Sequence, residues 1–164
     1  MNKEPSVDLS FIEIKYYKNL LDDYLTHIFK QNLEIIGALL FGSVATNKAR
    51  DDEFHTSDID LIIICENLPS GIWERKKFVF EKTKKVCSGI QDFWWTLEEL
   101  KRLLDSKFYL LLDAFDEGKI LYDPNEILNK LKEKLFKELE AKGVIKTDLY
   151  WEWPIKCFGD KIEF

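Results

Sequence analysis

Leu39-Leu40-Phe41-Gly42-Ser43-Val44-Ala45-Thr46-Asn47-Lys48-Ala49 and, a little further on, Ser57-Asp58-Ile59-Asp60-Leu61-Ile62-Ile63-Ile64 are the stretches that decide the fold. Ile35 to Phe41 is a short apolar run bounded by Asn32 and Gly42, which predicts a buried strand. Gly42-Ser43 then turns the chain sharply into a short helix. That order points backbone N–H groups and the Ser43 hydroxyl at one spot, and such a spot suits a phosphate. Taken alone, a Gly-Ser pair after a strand is an ordinary strand-to-helix turn.

The second stretch adds a demand for positive charge. Asp58 and Asp60 stand two apart at the start of an apolar strand, Ile59 to Cys65, so the period of two projects both carboxylates to the same face. Two like charges at the mouth of a core are costly unless a cation sits between them. A hard divalent ion answers that need, because Mg²⁺ prefers a couple of carboxylates, water and phosphate oxygens. A solvated face does not explain the pair, since Leu61 to Ile64 run straight on into the core.

Outward from these stretches, helix and strand alternate. Tyr17, Leu21, Tyr24 and Ile28 recur at helical spacing and predict a first helix from about Leu9 to Lys30. Beyond the second strand, Asn67, Pro69, Ser70 and Gly71 form a turn, and Ile72, Val79, Thr83 and Val86 then share a helical face that Ser88-Gly89 ends. Ile90 to Thr96 reads as a third strand on β-propensity. Thr96 with Glu99 matches a capping box and starts another helix. Asp123-Pro124 reads as N-cap and first position of a helix striped by Leu128, Leu131, Leu135 and Leu139 and ended at Gly143. The tail from Val144 to Phe164 carries Tyr150, Trp151, Trp153 and Phe158 without periodicity. The expected class is α/β (α+β), a small mixed β-sheet with helices packed against it and a helical C-terminal extension. Residues 1–96 form the core with its N-terminal helix, and 97–164 the extension and aromatic tail, packed as one compact domain.

Composition bounds the function. The chain has 164 residues, 46% hydrophobic and 14% aromatic, with 4 Pro and 7 Gly, which suits one folded core and excludes disorder or a collagen-like repeat. Lys+Arg total 24 against 30 Asp+Glu, a net charge of −6 that argues against broad nucleic-acid binding through phosphates. An anionic ligand therefore needs a local device. No secretory signal is recognisable, and the longest apolar run, Leu61 to Cys65, is far short of a membrane span, so a cytoplasmic protein is expected. Cys65, Cys87 and Cys157 show no CxxC or Cys/His grouping and read as ordinary thiols. Trp94-Trp95 and Trp151-x-Trp153 read as core and lid packing, because no basic stripe accompanies them. Lone His55 and the loop cations Lys48 and Arg50 are assigned no role.

A Gly-Ser turn followed about fifteen residues later by Asp-x-Asp on the next strand resembles the signature of the nucleotidyltransferase superfamily that includes DNA polymerase beta. Within it, the chain is similar to the minimal nucleotidyltransferases (MNT), some of them antitoxin partners of HEPN-domain toxins. The likeness covers roughly Leu33 to Thr96. Glu98-Glu99-Leu100 through Asp113 to Asp123, and the Tyr150-Trp151-Trp153 tail, are similar to the C-terminal region of archaeal stand-alone members. The resemblance implies that Gly42 and Ser43 contact nucleotide phosphates and that Asp58 and Asp60 ligate Mg²⁺. It also implies a third carboxylate, Asp92, as metal ligand or as base for the acceptor hydroxyl, in a site able to hold two metals. ATP or another nucleoside triphosphate would be the substrate, and its monophosphate, AMP for ATP, would pass to a hydroxyl of a protein or RNA. The alternative is a non-catalytic, antitoxin-like protein that docks on a HEPN-type toxin with the same fold. Two features depart from the family pattern. Asn47 stands where relatives carry a second glycine, which Asn tolerates by adopting the left-handed conformation. The loop from Arg50 to Thr56, with Asp51, Asp52, Glu53 and His55, is longer than usual and reads as a solvated loop.

Overall fold

A computed structural model describes residues 5, 7–52, 55–155 and 157. Four strands form its main sheet: β1 (Ile35–Phe41), β2 (Ile59–Cys65), β3 (Ile90–Trp95) and β4 (Lys119–Tyr122), in the order β3-β2-β1-β4. β1 runs antiparallel to both β2 and β4, while β2 and β3 are parallel, so the sheet is mixed as expected. The bounds predicted for β1 and β2 are those observed. Apart from Asp60, both strands read as apolar runs because both faces of the sheet are covered.

The alternation of the pleat sorts the core into two layers. Ala38, Leu40, Ile59, Leu61, Ile63 and Trp94 face α1 (Lys15–Phe29), whose Tyr17, Leu21, Tyr24, Leu25 and Ile28 are buried against them. Leu39, Phe41, Ile62, Ile64, Phe93 and Trp95 face the other way, onto the helices that follow β3. Those are α4 (Leu97–Asp105), α5 (Tyr109–Glu117) and α6 (Ile127–Ala141). Two further helices lie between the strands, the single-turn α2 (Gly42–Ala45) and α3 (Ile72–Thr83). No described helix is long and apolar enough to cross a membrane.

Several predicted boundaries move for local reasons. The first helix begins at Lys15 rather than Leu9, because Asn47 captures the backbone ahead of it. Asn47 Oδ1 accepts from Glu13 N at 3.2 Å and Asn47 Nδ2 donates to Phe11 O at 2.9 Å. Asn47 itself has φ 55, the left-handed conformation expected of it. The last long helix starts at Ile127, with Glu126 and not Asp123 in the N-cap position. Asp123 still serves it, accepting from the amides of Ile127 at 2.7 Å and Asn129 at 2.9 Å. The Thr96–Glu99 capping box forms as read, and Arg75 adds a two-pronged ion pair to Glu99 at 2.7 and 2.9 Å.

The region after residue 96 contains more strand than its pattern announces. β4 returns to the sheet beside β1, so the core and the C-terminal part share one sheet. In the tail, β5 (Ile145–Lys146) and β6 (Trp151–Glu152) pair as a small antiparallel hairpin. Trp151 packs on Phe136 at 6.2 Å and Trp94 is buried, so both serve packing. Phe158 and Glu53 lie outside the described residues.

Candidate active site

The register brings the two decisive stretches together. Phe41, the last residue of β1, pairs with Asp60 near the start of β2. The next residue, Gly42, has φ +72 and turns the chain into α2. A Cβ built on Gly42 would overlap Asp60 Oδ2 and stand 3.2 Å from Asp60 Cγ. Glycine is therefore required twice here, by the backbone conformation and by the carboxylate packed against it. Half-buried Ser43 follows in α2, whose first amides have no carbonyl four residues back to bond within the helix.

Asp60 is half-buried and Asp58 is exposed, and between them lies fully buried Ile59. Burial pushes the Asp60 carboxyl above the ordinary aspartate range, and the neighbouring Asp58 charge pushes it further in the same direction. Among the described residues no third His, Cys, Asp or Glu joins the pair in a metal-holding group. The donor set thus fits a hard divalent cation that draws its remaining ligands from phosphate and water.

Asp92 is not brought to this corner. It pairs with Leu61, whereas Gln91 is the residue in register with Asp60. One step along a strand reverses the face. Asp92 therefore projects toward α1, where its Oδ2 accepts from the Tyr24 hydroxyl and from Trp94 Nε1 at 2.8 Å. Burial and the adjacent Asp92 charge hold the Tyr24 hydroxyl far above its ordinary range, so it is a fixed donor. This is a structural clamp beneath β3, on the opposite face from the Asp58–Asp60 pair. Asp92→Ala leaves two buried donors unpaired. It is expected to cost about 2–4 kcal/mol in urea unfolding while leaving the metal affinity of the folded protein unchanged.

A contribution that the sequence pattern does not announce comes from Tyr17. In the sequence it reads as one more residue of the apolar stripe of α1, and nothing marks its hydroxyl. In the fold, the buried hydroxyl donates to Arg50 O and accepts from Ser57 N at 2.9 Å. Arg50 and Ser57 also bond each other, Ser57 N to Arg50 O at 3.1 Å and Arg50 N to Ser57 Oγ at 3.0 Å. The neck of the 50–57 loop is thereby pinned one residue before Asp58. Within the loop, Asp51 bridges to Thr56 and Asp52 Oδ1 accepts from His55 N at 2.9 Å.

A cleft of about 870 Å³ opens beside Gly42. Phe41, Phe108 and Tyr109 line one part of it and the β5–β6 hairpin another. Lys146 ties that hairpin to α5 through Asp116 at 2.6 Å and Glu117 at 2.7 Å, and Trp151 Nε1 donates to Asp113 at 2.9 Å. The aromatic tail thus walls a space that adjoins the turn.

Comparison with known proteins gives a family match and several solved structures of low similarity. Residues 23–127 match the family model described as polymerase beta, nucleotidyltransferase. No curated protein matches the chain. Among solved structures, a toxin–antitoxin complex with AMP-PNP is 17% identical, with 75% of this chain and 83% of that one covered and a TM-score of 0.42. A mutant of the toxin–antitoxin MntA-HpeT is 16% identical, with coverage of 79% and 89% and a TM-score of 0.45. A tri-AMPylated Shewanella oneidensis HEPN toxin in complex with MNT antitoxin is 14% identical, with coverage of 77% and 82% and a TM-score of 0.41. The family match runs from the middle of α1 to the first residue of α6 and includes the Gly42-Ser43 turn, Asp58 and Asp60: the chain belongs to the polymerase beta nucleotidyltransferase family.

Proposed function

We propose that the protein transfers a nucleoside monophosphate, AMP from ATP, to a hydroxyl group of a protein or RNA acceptor. The observation that carries this reading is the packing of the Asp60 carboxylate against Gly42, with Asp58 one residue ahead of β2 and its charge felt by Asp60. It sets two carboxylates beside a turn suited to phosphate. In the transfer, the acceptor hydroxyl gives up its proton to solvent, its oxygen forms a bond to the α-phosphorus, the bond from that phosphorus to the β-bridging oxygen breaks, and pyrophosphate leaves. Asp58 and Asp60 would hold Mg²⁺. When bound, the ion supplies neutralisation of charge on the phosphate oxygens and a lowered pKa for the attacking hydroxyl. The amides at the start of α2 and the Ser43 hydroxyl orient the outer phosphates of the triphosphate.

The remaining parts have defined tasks in this scheme. Tyr17 keeps the loop neck closed, which fixes where Asp58 enters the strand. The cleft beside Gly42 is the place for the part of the substrate beyond its phosphates. A HEPN-domain protein, the partner implied by the likeness to MNT proteins, stays the proposed protein partner. The test is to follow α-labelled ATP with Mg²⁺ into acceptor material, wild type against Asp58→Ala/Asp60→Ala. The wild type labels the acceptor and the double variant does not; equal labelling by both removes the catalytic assignment.

A further inference from the structure

One strand beyond β2, the sheet ends in a second exposed feature. β3 is bonded to β2 and has no described strand beyond it. Gly89 O accepts from Ile59 N at 2.9 Å, on the β2 side. By strand alternation, the N–H and C=O groups of Gln91 and Phe93 also face β2, and those of Asp92 and Trp94 face outward. A groove of about 390 Å³ follows this edge, lined by Lys76, Val79 and Phe80 of α3 and by Asp92, Phe93 and Trp95. Asp92 does not turn its charge to the groove freely, because its carboxylate is held by Tyr24 and Trp94.

The exposed side of α3, from which Lys76 and Phe80 reach the groove, has an unusual composition for a chain of net charge −6. Trp73, Lys76, Lys77, Phe80 and Lys84 are all exposed, Trp73 by 78% and Phe80 by 60%. At about 100° per residue these five positions fall within one sector of about 100° on α3 and its last turn. Glu81 and Glu74 lie about 90° and about 110° from its centre, and the Glu74 carboxylate folds back over Gly71. Arg75 is already committed to Glu99. The sector therefore presents rings and lysines with no acid among them.

These features choose between occupants. An outward row of backbone donors and acceptors is completed by another extended polypeptide, which a nucleic acid cannot imitate. A second copy of this chain pairing edge to edge about a twofold axis would set two lysine faces against each other, a like-charge contact. An acidic partner satisfies both the backbone row and the lysines. We propose that the free edge of β3 and the adjoining face of α3 dock an extended acidic segment of a partner protein, added to the sheet as a fifth strand. This docking is independent of nucleotidyl transfer.

The test uses the full chain and a labelled alternating Glu/Val octapeptide, read by fluorescence anisotropy and by amide hydrogen exchange. Its comparators are the Lys/Val peptide, the Glu/Val peptide N-methylated at alternate residues, and oligouridylate. The Glu/Val peptide is expected to bind at least about tenfold more tightly than each comparator and to slow exchange at Asp92 and Trp94. Lys76→Glu/Lys84→Glu is expected to weaken it by about tenfold or more, with an unchanged circular dichroism spectrum. Equal binding of the acidic and basic peptides, indifference to N-methylation, preference for oligouridylate, or a dimer joined through β3 overturns the proposal. The N-methylated arm needs no protein variant, so a variant that fails to fold does not remove the test.

Discussion

Asp60→Asn is expected to yield a protein that melts higher than wild type without metal and transfers nucleotide far more slowly. Burial and Asp58 both raise the Asp60 carboxyl above its unfolded value, so ionisation of this group works against the fold. The sign follows from that direction. Stability associated with protonated Asp60 is fully present below the unfolded aspartate pKa, about 3.9, and is lost as pH rises through the higher folded value. The two proteins should therefore melt alike in acid and diverge toward neutral pH. The asparagine variant gains a few degrees there, at about 2–4 °C per kcal/mol for a chain of this size. Added Mg²⁺ should raise the melting temperature of the wild type and leave the variant where it was. Turnover is expected to fall by about 10³-fold or more, the scale of losing a principal source of transition-state charge stabilisation. A variant that melts lower than wild type without metal at neutral pH contradicts the account of the pair as mutually repelling charges held for a cation.

Gly42→Ala is expected to damage the site more than the fold. At φ +72 a side chain costs about 1–2 kcal/mol through left-handed strain alone. The new methyl group would also occupy the space of Asp60 Oδ2, so the carboxylate must leave its place. A displacement on the order of 1 Å at a reacting centre is worth about 10²-fold in rate, and a loss of that size or larger is expected in kcat. Gly143→Ala separates the two effects. Gly143 has φ +70, and a Cβ there meets only Pro154 at 3.5 Å. It should lose similar stability in urea unfolding and keep full activity. Equal activity losses in the two variants would show that strain, and not the Asp60 position, is responsible.

The parts of the molecule most legible from sequence are those where one local rule acts without competition. Apart from Asp60, β1 and β2 are apolar on both faces and end at a glycine or a polar turn, so their bounds follow from the pattern. Thr96–Glu99 is a reciprocal pair within one turn, and it forms as read. That the Asp58 charge acts on Asp60 follows from their separation of two positions. What stayed hidden depends on contacts between distant segments. The start of α1 is set by Asn47, more than thirty positions away. β4 has four residues at the edge of the sheet, too few to show alternation, and it joins the sheet through β1. Its return also means that a boundary at residue 96 divides one sheet. Asp92 was legible as a strand residue and not by its face, because the register of β3 against β2 is set by tertiary packing. With Gln91 opposite Asp60, the carboxylate of Asp92 faces α1. The hydroxyl of Tyr17 is hidden for the same reason, since a tyrosine on an apolar helical stripe does not disclose which backbone groups its oxygen meets.

The most direct measurement is the fate of the two ends of ATP. Wild-type protein, Mg²⁺ and acceptor are incubated in parallel with ATP labelled at the α- or the γ-phosphate, and Asp58→Ala/Asp60→Ala is carried through both arms. The account predicts that the α-label appears on the acceptor, that the γ-label leaves as pyrophosphate, and that the double variant does neither. Transfer of the γ-label to the acceptor, or equal α-labelling by wild type and double variant, would contradict it.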